Sequence, residues 1–279
     1  MEFRTIVDIQ KPAFSIEPFE DIFFAGSCFA NSIGRLFLAD GFPAVVNPYG
    51  TMYNPASVLH TVSRWCAEET AAGRRRWPRV AFLTLGTNHV YRLKETGEIV
   101  DNCQKRPQSL FSEELLTIDE CAGYLRQAID MLREKNSSAN VVLTVSPIRY
   151  RKYGYHESQL SKATLLLAID KVLKSYSDAK TAYFPAYEIV QDELRDYRFY
   201  AADMLHPSEQ AAAYIYQRLT EVYFSDAARH YLREWQPLKQ ALAHKPFNAD
   251  SEEYKQFIAA THRKIEDIKE KYREVRGER

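Results

Sequence analysis

The chain has 279 residues, 46% of them hydrophobic and 13% aromatic, enough apolar material for one large α/β core or a domain with an appendage. Lysine plus arginine and aspartate plus glutamate each number 37, so the net charge is zero and the balance argues for neither a nucleic-acid nor an anionic-membrane partner. The four cysteines, at positions 28, 66, 103 and 121, match neither a zinc-ligand spacing nor a dense disulfide framework, and Met1 to Thr5 opens without an apolar leader, so a cytoplasmic-type protein with reduced thiols and no membrane span is expected.

Ile22-Phe23-Phe24 is a short apolar run that predicts a buried strand. Gly26 then permits a sharp turn, and Phe29, Ile33, Leu36 and Phe37 recur with helical spacing. Ser27 and Cys28 therefore stand at a helix N-terminus, where unpaired N–H groups and the helix dipole stabilise a thiolate or an oxyanion forming beside a nucleophile. Both are candidate nucleophiles. After Gly41-Phe42-Pro43 closes that helix, Ala44-Val45-Val46 predicts a second strand, and the stretch from Asn47 to Pro55 is dense in turn residues. Asn54 reads as an N-cap with Pro55 at the first helical position, starting a helix through Leu59, Val62 and Cys66. Gly50 offers a backbone N–H that a ligand can approach closely. Arg74-Arg75-Arg76, the only tight basic run, reads as a solvated loop.

Val80 to Leu85 predicts a third strand, ending at Gly86-Thr87-Asn88-His89, a turn that can aim the Asn88 amide into a crevice as an oxyanion donor. Thr96-Gly97-Glu98 looks like a hairpin tip, and beyond it Asn102, next to Cys103, is the rival donor. A helix is expected from about Ser112 to Lys135, a fourth strand over Val141 to Val145, a helix from about Glu157 to Leu173, and a fifth strand from Thr181 to Phe184. Apolar strands alternating with helices predict a three-layer α/β/α sandwich. Its central parallel sheet has about five strands, and ligands bind at their C-terminal ends. Gly26, Gly50 and Gly86 gather at that edge.

Asp203-Met204-Leu205-His206-Pro207-Ser208 precedes an amphipathic helix carrying Ala212, Ile215, Leu219, Val222 and Tyr223. Pro207 suits the first helical position and keeps His206 extended in the loop. An Asp three residues ahead of such a histidine fixes the imidazole tautomer and stabilises the imidazolium formed when it takes a nucleophile's proton. Beyond Phe224 the composition turns to polar helix, with Trp235, Pro237 and Pro246 marking joints. The division expected is an α/β/α domain over 1–225 and a helical C-terminal extension over 226–279 packed on it. Tyr254, Ile258, Thr261, Ile265, Ile268, Tyr272 and Val275 form a stripe assigned to packing within the subunit, so a monomer is expected, with a weak dimer as the alternative. The chain has no phosphate loop or dinucleotide turn, and its seven histidines have no metal-ligand spacing, so neither cofactor nor metal is expected.

The blocks Gly26-Ser27-Cys28-Phe29-Ala30, Asn47-Pro48-Tyr49-Gly50, Thr84-Leu85-Gly86-Thr87, Asn102-Cys103, Thr144-Val145-Ser146-Pro147 and Asp203-Met204-Leu205-His206-Pro207 resemble the GSCFA family, which is grouped with the SGNH (GDSL-type) hydrolases. The resemblance implies an SGNH-like, flavodoxin-like fold and an ester-hydrolase site without a cofactor. Laid on the Gly-Asp-Ser block of that superfamily, Ser27 falls on the aspartate and Cys28 on the nucleophile. Gly50 falls on the second block, Gly86 and Asn88 on the third with His89 in place of an aspartate, and Asp203 and His206 on the last. The implied activity is hydrolysis or transfer of an acyl ester or thioester, on a small molecule or an acylated carbohydrate, through a covalent acyl-enzyme. The runner-up is an inactive SGNH-like protein that binds an acylated glycan or peptide.

Overall fold

The computed structural model describes residues 3–244, 246–248 and 250–275. Strands β1 (Ile22–Gly26), β2 (Ala44–Val46) and β3 (Val80–Leu85) come first, with helices α1 (Cys28–Ala39) and α2 (Pro55–Ala71) between them. A small antiparallel sheet follows, built from β4 (His89–Leu93), β5 (Ile99–Val100) and β6 (Phe111–Leu115). Then come α3 (Ile118–Lys135), β7 (Asn140–Val145), α4 (Gly154–Ser175), β8 (Thr181–Tyr183), the single turn α5 (Ala186–Glu188), α6 (Glu209–Tyr223), α7 (Asp226–Ala243) and α8 (Glu252–Val275).

The main sheet runs in the order β2-β1-β3-β7-β8, every pair parallel, with Phe24 opposite Val46 on one side and Phe82 on the other. The chain moves outward from β1 to β2 and then returns to the other side of β1 for β3. That reversal opens a crevice at the C-terminal ends of β1 and β3, the place where open α/β sheets bind ligands. Both faces are covered, which is why the strands are apolar throughout rather than alternating. Phe24 and Phe82 stack 4.7 Å apart and pack with Phe37 of α1, Tyr216 of α6 and Phe224 on one face. Phe23, Leu83 and Leu143 pack with the apolar stripes of α2, α3 and α4 on the other. The three-layer α/β/α architecture is as the alternation of elements predicts.

Two elements differ from expectation. The helix expected from about Ser112 begins only at Ile118, because Thr117 and Glu120 form a reciprocal capping box, each side chain accepting the other's backbone N–H. The residues before it, Phe111 to Leu115, pair instead with β4 from His89 to Leu93. Pro237 is not a joint either: α7 runs through it. The lost backbone bond is tolerated because neighbouring side chains anchor the helix. Trp235 Nε1 donates to the Ala39 carbonyl (3.0 Å), Tyr231 Oη to the Asp40 carbonyl (2.6 Å), and Lys239 Nζ bonds the Asp40 carboxylate (2.7 Å), so α7 caps the open carbonyl end of α1. In turn α8 lies on α7, burying Thr261, Ile265 and Tyr272, with the Tyr231 and Tyr272 rings 5.3 Å apart. The side chain of Val275, the last member of the predicted stripe, lies outside the described residues. Among the described residues no helix is long and apolar enough to cross a membrane.

Candidate active site

The turn after β1 is fixed by three neighbours. Gly26 has φ +144°, and a Cβ on it would lie 2.0 Å from the Thr84 carbonyl oxygen, so only glycine fits between β1 and β3. Its N–H donates to Asn47 Oδ1 (2.8 Å), while Asn47 Nδ2 donates to Asn31 Oδ1 (2.8 Å), tying the turn to both β2 and α1. The Ser27 N–H donates to the Thr84 carbonyl (3.1 Å) and to Thr84 Oγ1 (3.0 Å).

This arrangement separates the two candidate nucleophiles. Ser27 is 0% exposed, and its hydroxyl is the N-cap of α1, accepting the Phe29 N–H at 3.2 Å and lying 3.2 Å from Thr84 Oγ1. Cys28 is the first residue of α1 and half-buried, with Sγ 3.3 Å from Tyr53 Oη. Its own N–H is one of the unpaired donors of the first helical turn. Burial pushes the other thiols up, Cys66 to about 11 and Cys121 to about 12, and raises Cys103 as well.

Tyr53 lines a cleft of about 390 Å³ together with Tyr150, Leu205 and His206. The residue that holds the Cys28 thiol thus shares a cavity with the histidine. His206 stands in the loop ahead of α6, although Pro207 does not open the helix as expected, because Ser208 is the N-cap and Glu209 the first helical residue; His206 Nδ1 is 2.6 Å from Asp203 Oδ2. Asp203 Oδ1 accepts the backbone N–H of His206 (3.0 Å) and of Leu205 (2.9 Å). These two backbone bonds, then the imidazole, hold the Asp203 carboxyl down at about 2, so it stays ionised across the working range of an enzyme. With Nδ1 engaged, Nε2 is the nitrogen left to exchange a proton with a reacting group. Among the described residues the hydrogen-bond partner of the Cys28 thiol is Tyr53, not the imidazole; burial, and then the bond to the thiol, raises the Tyr53 pKa.

The three oxyanion candidates are placed differently. The Gly50 N–H donates to the Asn47 carbonyl (2.9 Å) and closes a turn, with the residue exposed at φ +90°. Asn88 is buried, and its amide nitrogen donates to the Leu116 carbonyl (2.7 Å), tying the start of β4 to the residue just after β6. Asn102 is exposed on the loop after β5, its Oδ1 accepting the Gln104 N–H (2.8 Å), and it lines a separate cleft of about 360 Å³ with Tyr49, His60, Asp101 and Arg106. The backbone N–H of Cys28 is left as the donor adjoining the thiol. Among the described residues no group of acidic, histidine and cysteine side chains could hold a metal.

Sequence reasoning passed over Tyr53, Thr84 and Asn47 as site residues, and also over Lys162. The last is 3% exposed with no carboxylate partner among the described residues, its Nζ donating to the carbonyls of Gly86 and Ser146 at 2.7 Å each, just beyond β3 and β7. Burial pushes its pKa down to about 7, against 10.5 for an ordinary lysine. Between those values the unfolded chain binds the extra proton, so stability rises with pH there, and the cost of burial is greatest below pH 7. In urea unfolding, the stability of the wild type relative to Lys162→Met should rise by roughly 3 kcal/mol between about pH 7 and about pH 9.5. A pH-independent difference would show that the two carbonyls keep the ammonium charged throughout.

Comparison with known proteins bears on this geometry. The model of the GSCFA family matches residues 21–77 and 69–219, which include the Cys28 turn, Tyr53 and the Asp203–His206 pair. The chain belongs to the GSCFA family. The GSCFA domain protein C-terminal model matches residues 235–279, the region of α7 and α8. No match was found among curated protein sequences. In three dimensions the chain is similar to a member of the lipolytic G-D-S-L family from Veillonella parvula, with 15% identity and a TM-score of 0.46 over 73% of this chain and 98% of that one. It is also similar to a GDSL-like lipase from Bacteroides thetaiotaomicron, with 14% identity and a TM-score of 0.46 over 75% of this chain and 89% of that one.

Proposed function

We propose that this GSCFA member transfers acyl groups through a covalent thioester on Cys28, releasing them to water or to an acceptor. The observation that carries this reading is the pairing of an Asp203-oriented His206 with a helix-terminal thiol through one shared wall, Tyr53. His206 Nε2 takes the thiol proton, and Sγ bonds to the acyl carbon. The oxygen that becomes negative lies toward the Cys28 N–H and the positive end of α1. When the carbon–leaving-group bond breaks, the imidazolium returns the proton to the departing oxygen or sulfur. Water or an acceptor, deprotonated by the same imidazole, then cleaves the Cys28 thioester and restores the thiol.

The element at the nucleophile narrows the substrate. A thiolate departs more readily than an alkoxide, so a tetrahedral adduct on Cys28 formed from an alkyl ester tends to return to reactants. A thioester, or an ester with an acidic leaving group, lets the adduct go forward. Thioesters are therefore the preferred acyl donors.

Asp203→Asn tests the proposal sharply. The Asn side-chain oxygen keeps the bonds from the Leu205 and His206 N–H groups, so the loop stays folded, but its NH₂ now faces Nδ1 and moves the imidazole proton to Nε2, the wrong tautomer for a base. Thioester turnover should fall about 10³–10⁴-fold. If it stays within threefold of wild type, His206 is not the base and the inactive binding protein becomes the better reading.

A further inference from the structure

The cleft shared by Tyr53 and His206 is lined by three cations, Arg149, Arg151 and Lys152, and by no carboxylate. The whole chain has zero net charge, so this excess is local rather than a reflection of a basic protein. Arg149 is held rigidly: its N–H donates to the Leu205 carbonyl (3.0 Å), its guanidinium to the Met204 carbonyl (3.2 Å), and that group lies 4.3 Å from the Tyr155 ring centre and 5.4 Å from that of Tyr200. Arg151 is exposed and has no carboxylate partner among the described residues. Lys152 is partly offset, with Nζ 3.7 Å from Glu113 and a hydrogen bond to Tyr91 Oη. Asp203, beside the histidine of this cleft, is occupied by the imidazole and the backbone behind it. Between these cations the cleft wall is apolar, made by Tyr53, Ile148, Tyr150 and Leu205.

We infer that the acyl substrate is anionic, carrying a carboxylate or phosphate that Arg149 and Arg151 hold while its apolar part lies on the cleft wall. A half-buried, tyrosine-stacked guanidinium with no carboxylate of its own among the described residues recognises such a group more strongly than a fully solvated surface cation does. This inference rests on Cys28 and His206 being the reacting pair, and Arg149 and Arg151 act in it as specificity residues.

The test uses the Cys28 thiol as a charge sensor. Iodoacetamide is neutral and iodoacetate is anionic. In each case the thiolate displaces iodide and a carbon–sulfur bond forms, so the ratio of the two rates at Cys28 reports the local potential without requiring turnover. At low salt the iodoacetate-to-iodoacetamide ratio, read by peptide mass spectrometry, should exceed that of free cysteine by about fivefold. It should fall back in Arg151→Glu and in high salt. A ratio equal to that of free cysteine and unchanged in Arg151→Glu overturns the inference. Turnover of N-acetylcysteamine thioesters of butyrate and of glutarate separates this proposal from the one it rests on. Butyrate turned over with no preference for the carboxylate-tipped glutarate overturns the anionic substrate and leaves acyl transfer standing. A raised iodoacetate ratio with neither thioester consumed overturns acyl transfer and keeps the anion-holding cleft.

Discussion

Replacing Cys28 by alanine should lower thioester turnover at least about 10³-fold, the loss expected when a nucleophile and the covalent route it opens are removed together. Folding should be little affected. Cys28 is half-buried at the start of α1, its single side-chain hydrogen bond among the described residues is to Tyr53 Oη, and alanine is a better helix former than cysteine. Cys28→Ser is the more informative partner. A hydroxyl at the same atom needs a stronger base than a thiol does, so the serine variant should also be slow with thioesters, while losing less on esters, whose alkoxide a serine adduct expels on equal terms. Steady-state rates with matched ester and thioester pairs decide this. A Cys28→Ala protein that keeps a tenth or more of wild-type turnover would remove Cys28 from the chemistry.

The second large effect is on folding. Gly26→Ala places a Cβ 2.0 Å from the Thr84 carbonyl oxygen and 2.5 Å from Thr84 Oγ1, at a φ of +144° that L-residues rarely adopt. Neither atom is the free end of a flexible side chain. The carbonyl accepts the Ser27 N–H, and Gly26 is in register with Thr84 across β1 and β3, so relief requires parting two central strands. The cost should exceed about 4 kcal/mol, enough to unfold many domains of this size. Gly50→Ala is the control: φ is again positive, at +90°, but nothing lies within 4 Å of the added carbon, so about 1 kcal/mol of backbone strain is all that is expected. Urea unfolding of the two variants side by side checks the contrast, and equal midpoints would contradict the tight fit between β1 and β3.

The strands were legible in the sequence because a parallel sheet covered on both faces needs continuous apolar runs, and Ile22-Phe23-Phe24 and Val80 to Leu85 are such runs. The start of α2 was legible for a different reason. Asn54 Oδ1 accepts the Ser57 N–H with Pro55 at the first helical position, a local device that owes nothing to the rest of the fold. The Asp203–His206 contact is local too, three residues apart. Contacts between distant segments were not legible. Asn88, expected as an oxyanion donor from its Gly-x-Asn turn just past β3, bonds a segment whose residues read as the start of a helix. Once β6 runs beside β4, the Leu116 carbonyl takes the Asn88 amide, and Leu116 returns its own N–H to the Asn88 carbonyl at 2.9 Å. Tyr53 stands in a stretch dense in turn residues, and nothing in its neighbours shows which side of the loop reaches Cys28. Ser27 and Cys28 differ in that the N-cap position turns one side chain back onto the helix and leaves the other against Tyr53.

Acyl transfer through Cys28 is tested most directly by trapping the intermediate. The protein is mixed with excess butyryl thioester, quenched in acid within the first turnovers, digested and analysed by peptide mass spectrometry, with His206→Ala treated in parallel. The account predicts a butyryl group on the peptide containing Cys28, located on that residue, removed by hydroxylamine and strongly reduced in His206→Ala. Turnover of the thioester with Cys28 unmodified at every quench time, or with the acyl group on Ser27, would contradict it.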